Sequence, residues 1–338
     1  MLTERQARIL SLIVEDYIET AEPVGSEALV RRHGLPLSSA TVRNEMARLE
    51  EEGYLTHPHT SAGRIPADSG YRVYLESLMQ EEALPRETRE TIRHQFHQAG
   101  READAWVHLS AAVLAQFVEN AAVVTVPRSS ECRFKHLELV GVRDNVALVV
   151  LVLTQARLRQ ELLTFPGPMT QEELSSIARR LTAALAGRRA SEVNLAPEEL
   201  TAEERLTFQT VLEMMIAVER SQYDEAYLEG VRNVLMQPEF ANTRKALAIL
   251  EVLDEHTVTR VLPFDRMARS GVSVFIGDEN GEDAIRECSV VIAPYGEPGS
   301  VGGAMAVLGP TRMRYPRAIS AVRYLASILS DLLERYYR

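Results

Sequence analysis

Along the first 50 residues the apolar positions recur every three or four. Ile9, Leu10, Ile13, Tyr17 and Ile18 share one stripe behind Thr3-x-x-Gln6, the pattern of a capping box, and predict a first helix over about 3–20. Glu22-Pro23-Val24-Gly25 breaks it, Ser26 caps a short second helix over 27–32, and Gly34 is placed to end that one. After Leu35-Pro36-Leu37, Ser38 and Ser39 cap a third helix through Glu52, with Val42, Met46 and Leu49 on its apolar stripe and Gly53 as its stop. Three short helices in about 50 residues have the pattern of a helix-turn-helix. Tyr54 to His57 then reads as a strand, Pro58 to Pro66 as a polar hairpin with Arg64 near its tip, and Asp68 to Met79 as another helix. This is the order of a winged helix.

Residues 75–125 read as helical, with a boundary near Pro85, and Trp106, Leu109, Val113, Leu114 and Phe117 repeat at the spacing of a core-facing stripe. Beyond Pro127 the pattern changes to strands at 135–142, 145–155 and 157–165, with Arg143-Asp144-Asn145 as a tight turn. Helices are predicted at 171–186, 198–220, 222–235 and 242–255. Strands resume at 257–263, 272–276, 288–294 and 302–308, and 316–338 forms a last helix. One sheet interrupted by a helical block implies an insertion within an α+β domain, and a chain of 338 residues has room for two or three domains. The expected fold class is therefore α+β and multidomain.

Hydrophobic residues at 46% and charged residues at 25% exclude wholesale disorder and a fibrous rod. The longest apolar run, Val146 to Leu153, is eight residues, far short of the ~20 that cross a bilayer, and the first residues show no signal-peptide core, so the expected location is cytoplasmic with no membrane partner. Cys132 and Cys288 stand 156 positions apart and form neither a zinc cluster nor a disulfide framework. A net charge of -11 argues against nucleic acid until its distribution is read. Residues 1–30 carry Arg5 and Arg8 against six acidic residues, whereas 31–48 carry Arg31, Arg32, Arg43 and Arg48 against Glu45 alone. The local balance changes sign within one small domain.

Off the apolar stripe of the third helix lie Ser39, Thr41, Arg43, Asn44, Ala47 and Arg48. Small residues at a helix N-terminus permit close approach to a major groove, and Arg and Asn contact guanine or adenine edges bidentately. The same six residues would also make a solvated helix face; the winged-helix order around them favours DNA, with Arg64 reaching phosphate or a minor groove. Other chemistry is weaker. His57-x-His59 lacks a third ligand, Gly296 to Gly303 lacks the Lys-Ser/Thr of a phosphate loop, and Asp278, Glu279, Glu282 and Asp283 read as a solvated acidic turn. Arg312 and Arg314 are placed either to pair with that turn or to face a partner protein. No nucleophile with a base and an orienting group is evident, so the expectation is no enzyme, no metal and no cofactor.

Pro23-Val24-Gly25-Ser26, Ser38-Ser39-Ala40-Thr41-Val42-Arg43-Asn44-Glu45-Met46, Pro58-His59-Thr60-Ser61-Ala62-Gly63-Arg64-Ile65-Pro66 and Gly70-Tyr71-Arg72 closely resemble, in order, blocks of the heat-inducible transcription repressor family HrcA. Ile276-Gly277-Asp278-Glu279-Asn280 and Gly309-Pro310-Thr311-Arg312-Met313-Arg314-Tyr315 resemble a second set near the other end, where Thr311, Arg312 and Tyr315 read as a fold-defining corner. The resemblance implies a homodimeric repressor of chaperone operons of the groEL and dnaK type, binding double-stranded DNA at an inverted repeat called CIRCE and kept active by the chaperonin GroEL. It also implies a plan: a winged helix-turn-helix over 1–85, a GAF-like α+β domain in two parts, 86–165 and 239–338, and an inserted, mostly helical dimerisation domain over 166–238. Ser39, Thr41, Arg43 and Asn44 are the base-reading candidates, and Arg31, Arg32, Arg48 and Arg64 the phosphate or wing candidates. The alternative is a one-component transcription factor whose C-terminal domain binds a small metabolite directly.

Overall fold

The computed structural model describes residues 2–58, 63–80, 82–100, 102–129, 133–154, 158–193, 200–220, 223, 225–254, 257–297 and 301–337. His59, Cys132 and residues 298–300 of the Gly-rich stretch lie outside them. The fold is mixed α+β with antiparallel sheets, and it divides into two compact units, one of 1–127, 225–296 and 303–338, the other of 128–224 and 297–302.

The first unit begins with α1 (Glu4–Thr20), whose capping box between Thr3 and Gln6 forms as the spacing predicts. Helix α2 (Ser26–His33) ends on Gly34 at φ 57°, and α3 (Ser39–Glu51) is capped by Ser38, whose hydroxyl accepts from the Thr41 amide at 3.1 Å. Strands β1 (Leu55–Thr56) and β2 (Ile65–Pro66) pair antiparallel, and α4 (Asp68–Val73) runs on into a π-helical turn over Tyr74–Leu78. Val42, Met46 and Leu49 of α3 are buried with Ile9, Ile13 and Leu29, so the apolar stripes read from the sequence are the faces that meet.

Helices α5 (Arg86–Gln98) and α6 (Ala103–Val118) follow, and then β3 (Ala121–Thr125), a buried strand within a stretch expected to be helical. The short β4 (Arg128–Ser129) opens the second unit, in which β5 (Phe134–Arg143), β6 (Val146–Leu153) and β7 (Leu158–Thr164) make a sheet of their own. This corrects the expectation of a single interrupted sheet. Leu137, Leu139, Val149 and Leu151 on one face pack with Leu174, Ile177 and Leu181 of α7 (Gln171–Leu185) and with Val211 and Met215 of α8 (Ala202–Arg220). The opposite face carries one apolar row beside polar residues: Val140, Leu148 and Leu162 stand in register across the three strands, with Val140 43% and Leu162 63% exposed, and Glu138 and Gln160 flank Val150 in the next row.

Back in the first unit, residues expected as one helix over 222–235 split into β8 (Ala226–Glu229) and α9 (Val231–Leu235) around Gly230 at φ 79°. Strand β8 pairs with β3, a partner more than 100 residues away. Helix α10 (Thr243–Val252) is followed by α11 (Val258–Val261), where the β-branched run had predicted a strand at 257–263; Thr259 and Val258 are buried and the Asp254 carbonyl accepts from the Val258 amide at 2.9 Å. Strands β9 (Ser273–Ile276), β10 (Cys288–Gly296) and β11 (Val301–Pro310) complete a sheet in the order β8-β3-β11-β10-β9. Helix α12 (Tyr315–Tyr337) packs across β10 and against α6. Trp106, Val113 and Leu114 are buried in this core, which is continuous with that of α1–α4.

Candidate nucleic-acid interface

Anchored by Val42, Met46 and Leu49, α3 turns the positions 40, 43, 44, 47 and 48 outward, one stripe at the i, i+3, i+4 spacing. Ala40, Arg43, Asn44 and Arg48 on it are exposed. No acidic side chain lies in the helix's first turn, so its N-terminal amides add positive potential. The two remaining candidates stand differently. Ser39 and Thr41 are half-buried flanks of the stripe, and the Thr41 hydroxyl lies 2.8 Å from that of the capping Ser38. Thr41 holds the helix start in place more directly than it faces outward.

The arginines divide by whether a carboxylate already holds them. Arg31 and Arg43 are exposed and take part in no ion pair among the described residues. Arg48 is 67% exposed, with its Nη1 at 3.9 Å from Glu45, which Arg5 approaches at 3.3 Å. Arg32 lies 3.0 Å from the Asp16 carboxylate, a charge contact without hydrogen-bond alignment, while His33 Nε2 is hydrogen-bonded to the other Asp16 oxygen at 2.9 Å. Asp16 is buried, and it ties α2 to α1 through those two neighbours.

Arg64 is not near a hairpin tip. Its amide and carbonyl exchange hydrogen bonds of 2.9 Å with Val24, and its Nη2 lies 2.7 Å from Glu50, which also holds His57. The cause is Gly63: a Cβ there would stand 2.5 Å from the Val24 carbonyl, so only glycine lets the segment close onto the turn between α1 and α2. The expected tip is thus a base, and Glu50 is the functional neighbour that sequence reasoning missed. Its position at the end of α3, seven residues before His57, gave no periodic signal.

The acidic turn after β9 is engaged by arginines, though not by Arg312. Arg286 lies 2.7 Å from Asp278 and 2.8 Å from Asp283, and Arg72 of α4 holds Glu279. Arg312 instead pairs with Glu239. Cys288 is buried, and burial, then the charges of Glu287 and Glu239, push its thiol up to about 12. Among the described residues no group of three or more His, Cys, Asp or Glu is arranged to hold a metal, and no helix is long and apolar enough to cross a membrane.

Comparison with known proteins places this arrangement in a family. A family model described as the HrcA protein C terminal domain matches residues 104–319. The heat-inducible transcription repressor HrcA of Roseiflexus castenholzii is 42% identical over 348 residues, covering 99% of this chain and 96% of that protein. The protein of the same name from Herpetosiphon aurantiacus is 42% identical with the same coverage, and that from Dehalococcoides mccartyi 41% identical over 100% of this chain and 97% of its own length. A crystal structure of a hypothetical protein, 23% identical, shares the fold with a TM-score of 0.63 over 99% of this chain and 100% of that one. The chain belongs to the HrcA family of heat-inducible transcription repressors.

Proposed function

We propose that this chain is a cytoplasmic heat-shock repressor that binds an inverted-repeat operator (CIRCE) of chaperone operons as a homodimer, and that GroEL maintains its active form. The observation that carries the reading is the outward stripe of α3, in which Arg43 and Asn44 follow a capped helix start and Arg43 has no ion-pair partner among the described residues. In this reading α1–α4 with β1 and β2 are a winged helix-turn-helix, the sheet β8-β3-β11-β10-β9 and its helices are the GAF-like domain, and the compact unit of 128–224, in place of the 166–238 expected from the sequence, is the inserted dimerisation domain. Two copies of α3 enter successive major grooves, with half-sites about 34–36 Å or a multiple apart. Arg43 and Asn44 read bases with Ser39 and Thr41 beside them, Arg31 and Arg48 contact phosphate, and Arg32 and Arg64 reach the backbone by exchanging Asp16 and Glu50 for it.

The outer face of β5-β6-β7 supports the homodimer, since exposed Val140 and Leu162 flanking a half-buried Leu148 on a protomer favour association. A protomer that exposes such a face before pairing is also prone to aggregate, which gives a chaperonin a substrate to bind and makes the active fraction depend on its free capacity. The test is fluorescence anisotropy at one salt concentration with an inverted-repeat duplex and a scrambled one, each with and without GroEL. Selective binding strengthened by GroEL is expected. Selective binding indifferent to GroEL removes the chaperonin coupling, and equal binding to both duplexes by folded protein refutes the operator reading.

One observation favours a second reading, direct sensing of a metabolite. A groove of about 1010 Å³ between α5, α6 and α12 is lined by Phe96, Trp106 and Tyr336 together with Arg93, His97 and Arg335, a lining suited to an aromatic anion. Trp106 is the only tryptophan in the chain, so such a ligand is expected to quench the intrinsic fluorescence and raise the melting temperature without chaperonin.

A further inference from the structure

The motif blocks from the two ends of the sequence meet in space. Arg72 on α4 donates from Nε to Glu279 Oε1 at 3.0 Å and from Nη2 to the Val274 carbonyl at 2.8 Å and to the other Glu279 oxygen, which also accepts from the Ile276 amide at 2.9 Å. One turn earlier on α4, Asp68 accepts from the Asp278 amide at 3.2 Å. Gly277 stands at φ 53° where any Cβ would overlap the Asp68 carboxylate, so the turn after β9 is shaped to admit that side chain. A second contact lies at the far end of α1. Arg312, 13% exposed, donates from Nη1 to the Ile18 carbonyl at 3.3 Å, from Nη2 to Gln237 at 2.8 Å, and holds Glu239. Between the two, Tyr71 and Tyr315 are buried with ring centroids 5.9 Å apart.

These contacts grip α1, which packs directly on α3, and α4, which packs on α1, while the connection to α5 is a short segment around Leu84 and Pro85. A connection of that length alone would leave the helical unit free to pivot. We infer that Arg72 and Arg312 are positioning residues: together they clamp the operator-reading unit to the C-terminal sheet at Glu279 and Glu239, and thereby set which spacing between operator half-sites the dimer accepts. The inference rests on the repressor reading and adds to it a determinant that touches no base. With the clamp closed, α3 does not turn independently of the C-terminal sheet, so an operator whose half-sites are rotated to the opposite face of the duplex is expected to engage only one copy of it.

The experiment measures binding of the full-length protein to inverted repeats whose spacer is varied base pair by base pair over one helical turn, at constant salt. The chains are wild type, Arg72→Ala, Arg312→Ala, the double variant, and Arg72→Lys, which keeps the charge and part of the hydrogen bonding. Hydrogen exchange at the Ile276 and Asp278 amides is followed in parallel. For wild type, affinity is expected to fall roughly tenfold or more half a turn from the best spacer, as the second half-site is lost. In the double variant the same change is expected to cost less than about threefold, with Arg72→Lys in between. A folded double variant with the wild-type spacer profile overturns the inference. Should wild type show no preference for inverted repeats, the repressor reading fails, and the clamp is judged by exchange. Arg312→Ala must then speed exchange at Ile276 and Asp278 across the interface, and unchanged protection there means that the two contacts do not act as one device.

Discussion

Replacing Arg43 by alanine separates base reading from electrostatic attachment. The side chain is exposed, unpaired among the described residues and off the apolar stripe of Val42, Met46 and Leu49, so folding stability should change by no more than about 0.5 kcal/mol. A bidentate arginine–guanine contact discriminates by about 1–3 kcal/mol, and a symmetric dimer makes it twice, so the operator complex should weaken by about 2–6 kcal/mol. At tenfold for each 1.4 kcal/mol this is roughly 30-fold to 20,000-fold. The assay is anisotropy against operator duplexes substituted one symmetric pair of positions at a time, at one salt concentration. For a base-reading Arg43 the variant becomes indifferent at one pair of positions and keeps the wild-type order of preference elsewhere. A uniform loss over all duplexes would make Arg43 a phosphate contact, and an unchanged affinity would remove it from the interface.

Four further outcomes follow from the same geometry. If only the exposed Arg31 and Arg48 neutralise phosphates, four charges per dimer give a plot of log K against log salt with a slope of about -4, whereas a slope of about -7 would mean that Arg32 and Arg64 leave Asp16 and Glu50 for phosphate. Gly63→Ala forces a Cβ against the Val24 backbone and should destabilise the chain by about 1–3 kcal/mol in thermal unfolding; a wild-type melting temperature would refute the close approach. Burial, and then the charges of Asp278 and Glu279, raise the Asp68 carboxyl above its ordinary value, so the charged form is disfavoured in the fold and its contribution to stability improves as pH falls through the raised value. Asp68→Asn should therefore melt higher than wild type at pH 7, with the difference closing at acid pH, and a lower melting temperature at pH 7 would show that the hydrogen bond from Asp278 outweighs burial. Cys288 should resist alkylation at pH 8 in the native protein and react in urea, as read by mass of its peptide; native labelling would contradict its burial.

Much of the first 80 residues was legible because its signals are local. Thr3 with Gln6, Ser38 with the Thr41 amide, and Gly34 at the end of α2 act within one turn, and those caps form as their spacing predicts. The failures are non-local. The residues of β8 read as helix because strand pairing with Ala122 to Thr125 is invisible in a sequence window, and β3 itself is hidden in an alanine- and valine-rich continuation of α6. The Val258 to Val261 run has the β-branched composition of a strand, yet the hydrogen bond from the Val258 amide to the Asp254 carbonyl and the burial of Thr259 make it a helical turn. At the candidate site the exposed stripe of α3 was readable, whereas the commitment of Arg64 to Glu50 depends on the closure at Gly63 and Val24, 39 positions apart in the chain.

That commitment bears on how a chain of net charge -11 can hold an anionic duplex. In the helical unit several acidic side chains are turned toward arginines of the same unit: Asp16 toward Arg32, Glu45 toward Arg5 and Arg48, Glu50 toward Arg64. Their field is spent over a few ångströms, while at physiological salt the acidic residues elsewhere in the chain act only within about 8 Å. What a phosphate meets on this unit is therefore the N-terminus of α3 with Arg43, and Arg31 on α2, and the total charge is a poor guide to it. The same economy leaves few unpaired cations for non-specific attachment. As the proposed dimer, a protein so arranged would draw more of its affinity from base edges and from the spacing of two reading helices than from charge, and the attachment inferred at Glu279 and Glu239 would hold that spacing.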